Sequence, residues 1–134
     1  MSSLLIHKAL DIALNAMTPA LATAWENVAF TVPVISTPYQ KVNLLLATPE
    51  NREFGSTYQE QGIYQISLFY PLQTGVSDAL TRAELIRSTF LRGSSFTNSG
   101  VTVKITRTPE ISAGTIEGDR WFIPVKIRFS AFIS

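Results

Sequence analysis

Apolar residues recur along this chain with two periods, one helical and one extended. At the N-terminal end, Leu10, Leu14 and Met17 fall at i, i+4 and i+7, and Leu5, Ala9, Ile12 and Ala16 form a second stripe beside them. The spacing predicts a helix from Ser3, which can cap it, to about Met17, before Thr18-Pro19 ends it. Its polar strip is narrow: Lys8, Asp11 and Asn15, with His7 near the edge. An apolar arc this wide covers more than one neighbour, a sheet on one side and a second helix or another subunit on the other.

Extended alternation follows. Val28, Phe30 and Val32 predict a short strand before Pro33, and Pro33 and Pro38 bound an irregular loop. Tyr39 to Ala47 reads as the next strand, with Gln40, Val42, Leu44 and Leu46 on one face. Gln61 to Tyr70 is the clearest: Tyr64, Ile66, Leu68 and Tyr70 alternate with Ile63, Gln65, Ser67 and Phe69. A second helix is predicted from Ser77, as cap, to about Arg92, with Gly93 after it. It turns Ala79, Ala83, Ile86 and Phe90 inward and Arg82, Glu84 and Ser88 outward. RGSSFTNSG is expected to be a loop with a Ser99-Gly100 turn. Val101, Val103 and Ile105 then alternate with Thr102, Lys104 and Thr106. In the last strand Trp121, Ile123, Val125, Ile127 and Phe129 share one face, and Phe122, Pro124, Lys126, Arg128 and Ser130 the other. Pro124 cannot donate to a ladder and marks an edge position or a bulge.

The order α-β-β-β-α-β-β places the chain in the α+β class. The expected architecture is a mixed, mostly antiparallel sheet of about five strands with two helices packed on one face. No repeat, low-complexity run or linker divides the sequence, so residues 1–134 read as one domain. Two long loops, roughly 48–58 and 109–119, interrupt the pattern and are the candidates for contacts outside the fold.

The stretch PLQTGVSDAL joins a strand to a helix, the order used by phosphate-binding loops. It offers one glycine, Gly75, and no Lys or Arg between Pro71 and Leu80. Asp78 in the first helical turn already answers the helix dipole and would repel an anion. The chemistry fits a corner and not a phosphate site. Catalytic signals are equally thin: His7 is the single histidine, and no serine sits in a nucleophile-elbow pattern. Glu50 with Glu53, and Glu117 with Asp119, lack the acidic ladder of a calcium loop. No catalytic, metal or cofactor residue is therefore assigned, and no cofactor is expected.

Composition shifts the emphasis to surfaces. The chain is 46% hydrophobic and only 16% charged, against about a quarter charged in an average globular domain. That leaves more apolar surface than one small core needs, which favours an oligomer. Net charge is +1, too small for a non-specific nucleic-acid binder. Residues 1–67 carry three basic against five acidic groups and residues 68–134 eight against five, net −2 and +3. Lys104, Lys126 and Arg128 form a candidate basic face, with Phe122 and Phe132 in phase as a stacking platform for single strands or as part of a subunit interface or lumen. Arg52, Glu53 and Phe54 in the first long loop, and Glu117 and Asp119 in the second, are candidate subunit or partner contacts. Of the two tryptophans, Trp121 is expected in the core, while Trp25 lies in an irregular segment. There is no cysteine, so disulfides are excluded. No apolar run reaches the ~18 residues of a membrane span and no basic signal-peptide region is seen, so cytoplasmic synthesis without a cleaved signal is expected.

The ordered series AWENVAFT, TPYQKVNLLLA, GIYQISLFYP, ALTRAELIRSTFLRG, GVTVKITRTP and GDRWFIPVKIRF resembles the tail-terminator-like proteins of long-tailed bacteriophages, over about residues 4–130. No single motif within it is specific. The resemblance implies a fold with two helices against a sheet and a ring, usually a hexamer. Such a ring sits on the last ring of tail-tube protein, stops tube growth and offers a docking surface to a head-completion or stopper protein. DNA would pass through the lumen without sequence-specific binding. It also implies a virion protein at the head–tail junction, assembled in the host cytoplasm, with no membrane and no enzymatic activity. The alternatives are another neck or tail-completion component, and a nucleic-acid-binding module using Lys104, Lys126 and Arg128.

Overall fold

The computed structural model describes residues 2–51 and 58–133. Helix α1 spans Ser2–Asn15 and helix α2 Ser77–Thr89. Eight strands form one sheet: β1 (Ala22–Ala24), β2 (Tyr39–Leu46), β3 (Tyr58–Pro71), β4 (Ser95–Asn98), β5 (Val101–Ile105), β6 (Glu110–Ile111), β7 (Thr115–Glu117) and β8 (Arg120–Ile133). The sheet runs β1-β2-β3-β8-β5-β4, with β6 and β7 also paired to β8. Only β1 and β2 are parallel; every other pair is antiparallel. The α+β reading holds, and the sheet is larger than the five strands expected.

Strands β3 and β8 form the spine. They pair without a break from Tyr58↔Ile133 to Pro71↔Arg120. The period-2 pattern fixes their facing: Tyr64, Ile66 and Leu68 are buried on β3, and Ile123, Val125, Ile127, Phe129 and Ala131 on β8. The helices cover that face. Ile6, Ala9, Leu10, Leu14 and Met17 of the α1 segment, and Ala79, Ala83, Ile86 and Phe90 of the α2 segment, close the core. Phe90 packs obliquely on Tyr64 and Phe96, with centroids 6.2 and 5.3 Å apart. Each fully buried aliphatic side chain here contributes about 1.5–3 kcal/mol.

Several expectations change. The segment 28–32 is not a strand, for no strand pairs with it; the strand preceding β2 is β1, at Ala22–Ala24. RGSSFTNSG is not all loop. Its polar residues Ser95–Asn98 form β4, folded back on β5 through the Ser99-Gly100 turn. The loop at 109–119 contains β6 and β7. Ser77 does not cap α2: Val76 takes the N-cap position without a side-chain cap, and Ser77 is already helical. Arg82 does not face out but is buried. On α1 the second stripe divides, for Ala9 is buried while Ile12 and Ala16 are exposed.

Pro124 lies in the middle of β8, opposite Ser67 of β3. Its carbonyl accepts from Ser112 N–H on the far edge. In a strand a residue's N–H and C=O point to the same side, so the missing donor also faces that edge. There the ladder is already interrupted, between β7 (to Phe122) and β6 (from Val125). The proline costs β8 no bond to β3.

Gly62 marks the closest backbone approach in the sheet. A Cβ there would lie 2.3 Å from the Leu45 carbonyl oxygen on β2. Gly62→Ala is expected to destabilise the protein by about 1–3 kcal/mol through overpacking, read as a lower urea midpoint with unchanged m-value; an unchanged midpoint contradicts the close approach.

Candidate functional site

The helix-free face of the sheet is organised in rows set by register. At one end, Tyr39, Phe69 and Phe122 stand on adjacent strands β2, β3 and β8. Their rings stack at 4.7 and 5.1 Å, and Phe30 joins Tyr39 at 5.5 Å. In the middle lie Lys126 opposite Gln65 and Arg128 opposite Ile63. Glu110 of β6 pairs in register with Lys126, and its Oε1 lies 3.8 Å from Arg128 Nη1. Lys104 sits one strand over, opposite Ser130. It lines an open recess with Gln59, Thr102, Ser130 and Phe132. The structure thus brings Lys104, Lys126 and Arg128 onto one face, as the alternation predicts, and adds Glu110, which partly neutralises it. Phe122 and Phe132 share that face but are ten residues apart, roughly 33 Å along the strand, so they form no common platform.

The segment between β1 and β2 crosses the aromatic end of this face and is fastened at both ends. At its start, Glu26 Oε1 accepts from Leu44 N–H of β2 and faces His7 Nε2 of α1 at 3.2 Å. His7 Nδ1 lies 2.7 Å from Asp11 Oδ2, and Tyr64 OH donates to Asp11 Oδ1. The His7 ring is thus flanked by two carboxylates, those of Asp11 and Glu26. At the other end, Arg120 is buried and donates from Nη1 to the Thr37 carbonyl and from Nη2 to those of Pro33 and Val34. Its guanidinium also lies over the Tyr39 ring, 4.9 Å from the centroid. Between the fasteners, Val28, Val32, Val34 and Ile35 are exposed, Val34 by 71%. The strand-like sequence VAFTVPVI is therefore an apolar strap whose valines and Ile35 lie in solvent while Phe30 packs on Tyr39.

Exposed apolar surface continues elsewhere: Leu4 and Ile12 on α1, Leu45 and Leu46 on β2, and Ile116 on β7. Ile12 belongs to the stripe expected to meet another subunit, and no other part of the described chain covers it. Glu117 ends β7 and Asp119 lies in the following turn; both are exposed and in no ion pair among the described residues. Arg52, Glu53 and Phe54 lie outside the described residues. Trp25 and Trp121 are both partly buried against the core. Among the described residues no cluster of His, Cys, Asp or Glu is arranged to hold a metal, and no helix is long and apolar enough to cross a membrane.

Two helices on one side of a curled, mostly antiparallel sheet, with an extensive apolar exterior, define an α+β domain with surfaces suited to assembly. The family model for phage tail terminator protein matches residues 5–129, and the chain belongs to that family. A solved structure of nearly the same length is similar in fold, with TM-score 0.81 at 23% identity, over 100% of this chain and 98% of that one. No curated protein sequence matches.

Two outcomes follow from the fasteners. Arg120→Met removes three carbonyl contacts and is expected to cost about 2–4 kcal/mol. Hydrogen exchange should quicken at least tenfold over residues 34–37 while the β3 and β8 amides stay protected; unchanged exchange there contradicts the fastening role. Burial pushes the Asp11 carboxyl above its usual value of 3.8, against the lowering effects of the Tyr64 hydrogen bond and of His7. The folded state then holds that proton to higher pH than the unfolded chain. Asp11's contribution is largest below 3.8 and falls as pH rises through the folded value. The stability of the wild type relative to Asp11→Asn should fall over that window, in urea unfolding across a pH series; a relative stability that rises contradicts it.

Proposed function

We infer that the protein, as a member of the tail terminator family, has a structural role in phage tail completion. We propose that it acts there as a ring that caps the tail tube, ends tube polymerisation and presents a docking surface to a head-completion or stopper protein, with DNA passing through the lumen. The observation that carries this reading is the family match across residues 5–129. The exterior supports it. Val28, Val32, Val34, Ile35, Leu45, Leu46 and Ile116 are exposed on a chain only 16% charged, and apolar surface on this scale marks an interaction site. A closed ring of identical copies uses two different flanks of each subunit. The residues put forward for contacts with a neighbouring subunit, the tube or the connector are Arg52, Glu53, Phe54, Glu117 and Asp119. The protein so proposed is a virion component assembled in the bacterial cytoplasm, with no enzymatic activity and no cofactor.

The same fold and surfaces would also serve another neck component, and position in the particle separates the two. A nucleic-acid module on the Lys104, Lys126 and Arg128 face is weaker, because Glu110 sits among the cations.

Electron microscopy of the purified protein, alone and with preformed tail tubes, is expected to show rings, sixfold, attached at one tube end. Tube length should stop increasing once the protein is added. Monomers only, with tubes still growing, would overturn the proposal.

A further inference from the structure

Arg82 is a buried cation with little compensation among the described residues. It is 6% exposed, and its Nη1 donates to the Pro19 carbonyl. Its Nε has no partner, and no carboxylate pairs with it among the described residues. Burial accordingly pulls its pKa below the usual arginine range. A buried cation with a single neutral acceptor is destabilising unless an anion joins it. Arg82 lines a recess of about 300 Å³ whose walls are otherwise mostly apolar: Pro19, Leu21, Pro38, Tyr70 and Leu85. Asp78, one turn earlier on α2, also lines it but forms no ion pair with Arg82.

The complementary feature is the β7–β8 turn. Thr115–Glu117 is exposed along its whole length, with Ile116 66% exposed. Glu117 and Asp119 flank Gly118, whose φ of +59° makes the turn tight. The tip therefore presents one large apolar side chain beside two unpaired carboxylates, the chemistry the recess lacks. Both lie at one end of the spine, for Trp121 pairs with Tyr70 of the recess on one side and with Ile116 of the tip on the other. The recess lies on the side of β1, β2 and β3, while β7 is on the far edge of β8.

We propose that the Ile116–Asp119 tip of one copy docks in the Arg82 recess of the next, with a carboxylate of Glu117 or Asp119 on the Arg82 guanidinium and Ile116 against the apolar wall. Arginine suits this contact because its planar fork accepts a carboxylate through two N–H groups. The contact is head-to-tail, so every copy offers one tip and one recess, and it yields a ring where the rotation between copies closes. It rests on the ring reading above and specifies which parts of neighbouring copies meet.

Charge exchange tests it. Arg82→Glu alone, and Glu117→Arg with Asp119→Arg alone, should each weaken assembly at least about tenfold, since like charges face each other at the contact. An equimolar mixture of the two should assemble, because each tip then meets an opposite recess. Circular dichroism and thermal unfolding establish that each variant is folded, and Arg82→Met serves if Arg82→Glu is not. A second readout uses the absence of native cysteine. Glu117→Cys with Thr81→Cys, at tip and recess rim, should give a ladder of cross-linked oligomers under mild oxidation. Wild-type rings with undiminished assembly of the charge variants and no cross-linking would overturn the docking and leave the ring standing. A wild type that is monomeric both alone and on tubes would overturn both.

Discussion

The β3–β8 ladder is the constraint on which the rest of the structure depends. Two 14-residue strands pair along their whole length, and all other strands but β1 and β4 attach to one of the two. Sliding β3 by one residue would turn Tyr64, Ile66 and Leu68 to the open face and Ile63, Gln65 and Ser67 to the core. Both helices would then lose their seat. The register also decides the open face: it sets the aromatic row of Tyr39, Phe69 and Phe122 and brings Lys126 and Arg128 within reach of Glu110. Facing inward and facing outward are two readings of one alignment.

Buried cations hold the parts of the chain that have no ladder. Arg120 gathers the carbonyls of Pro33, Val34 and Thr37, and Arg82 takes that of Pro19. Both target backbone near prolines, where the chain lacks donors and repeating structure is unavailable. Guanidinium groups replace a sheet edge as the source of order. The result is a strap fixed in place without being paired, with its valines left in solvent.

The sequence made the spine legible and the margins not. Period-2 alternation in Tyr64–Tyr70 and Trp121–Phe129 is long enough to identify β3 and β8 and their inward faces, and helical spacing found Ala79, Ala83, Ile86 and Phe90. Strand β4 was invisible because Ser95–Asn98 is largely polar and short; only its pairing with β5 makes it a strand. The segment around Val28–Val32 failed the other way, with strand-like residues but no strand paired to it. Arg82 was read by its charge, although it is flanked by the buried Ala79, Ala83 and Ile86 on the helix wheel. Of the surface residues, alternation puts Lys104, Lys126 and Arg128 on one face of the sheet. Glu110 was missed as their partner because cross-strand register does not show in one dimension. The family relationship was legible only in the ordered series of segments, since no short motif carries it.

Pro124 divides the far border of β8 into separate stretches held by β7, β6 and β5. Because that border is already discontinuous, chain can be gained or lost between its pieces without shifting the alignment of β3 and β8. A solved structure at 23% identity shares this fold with a TM-score of 0.81.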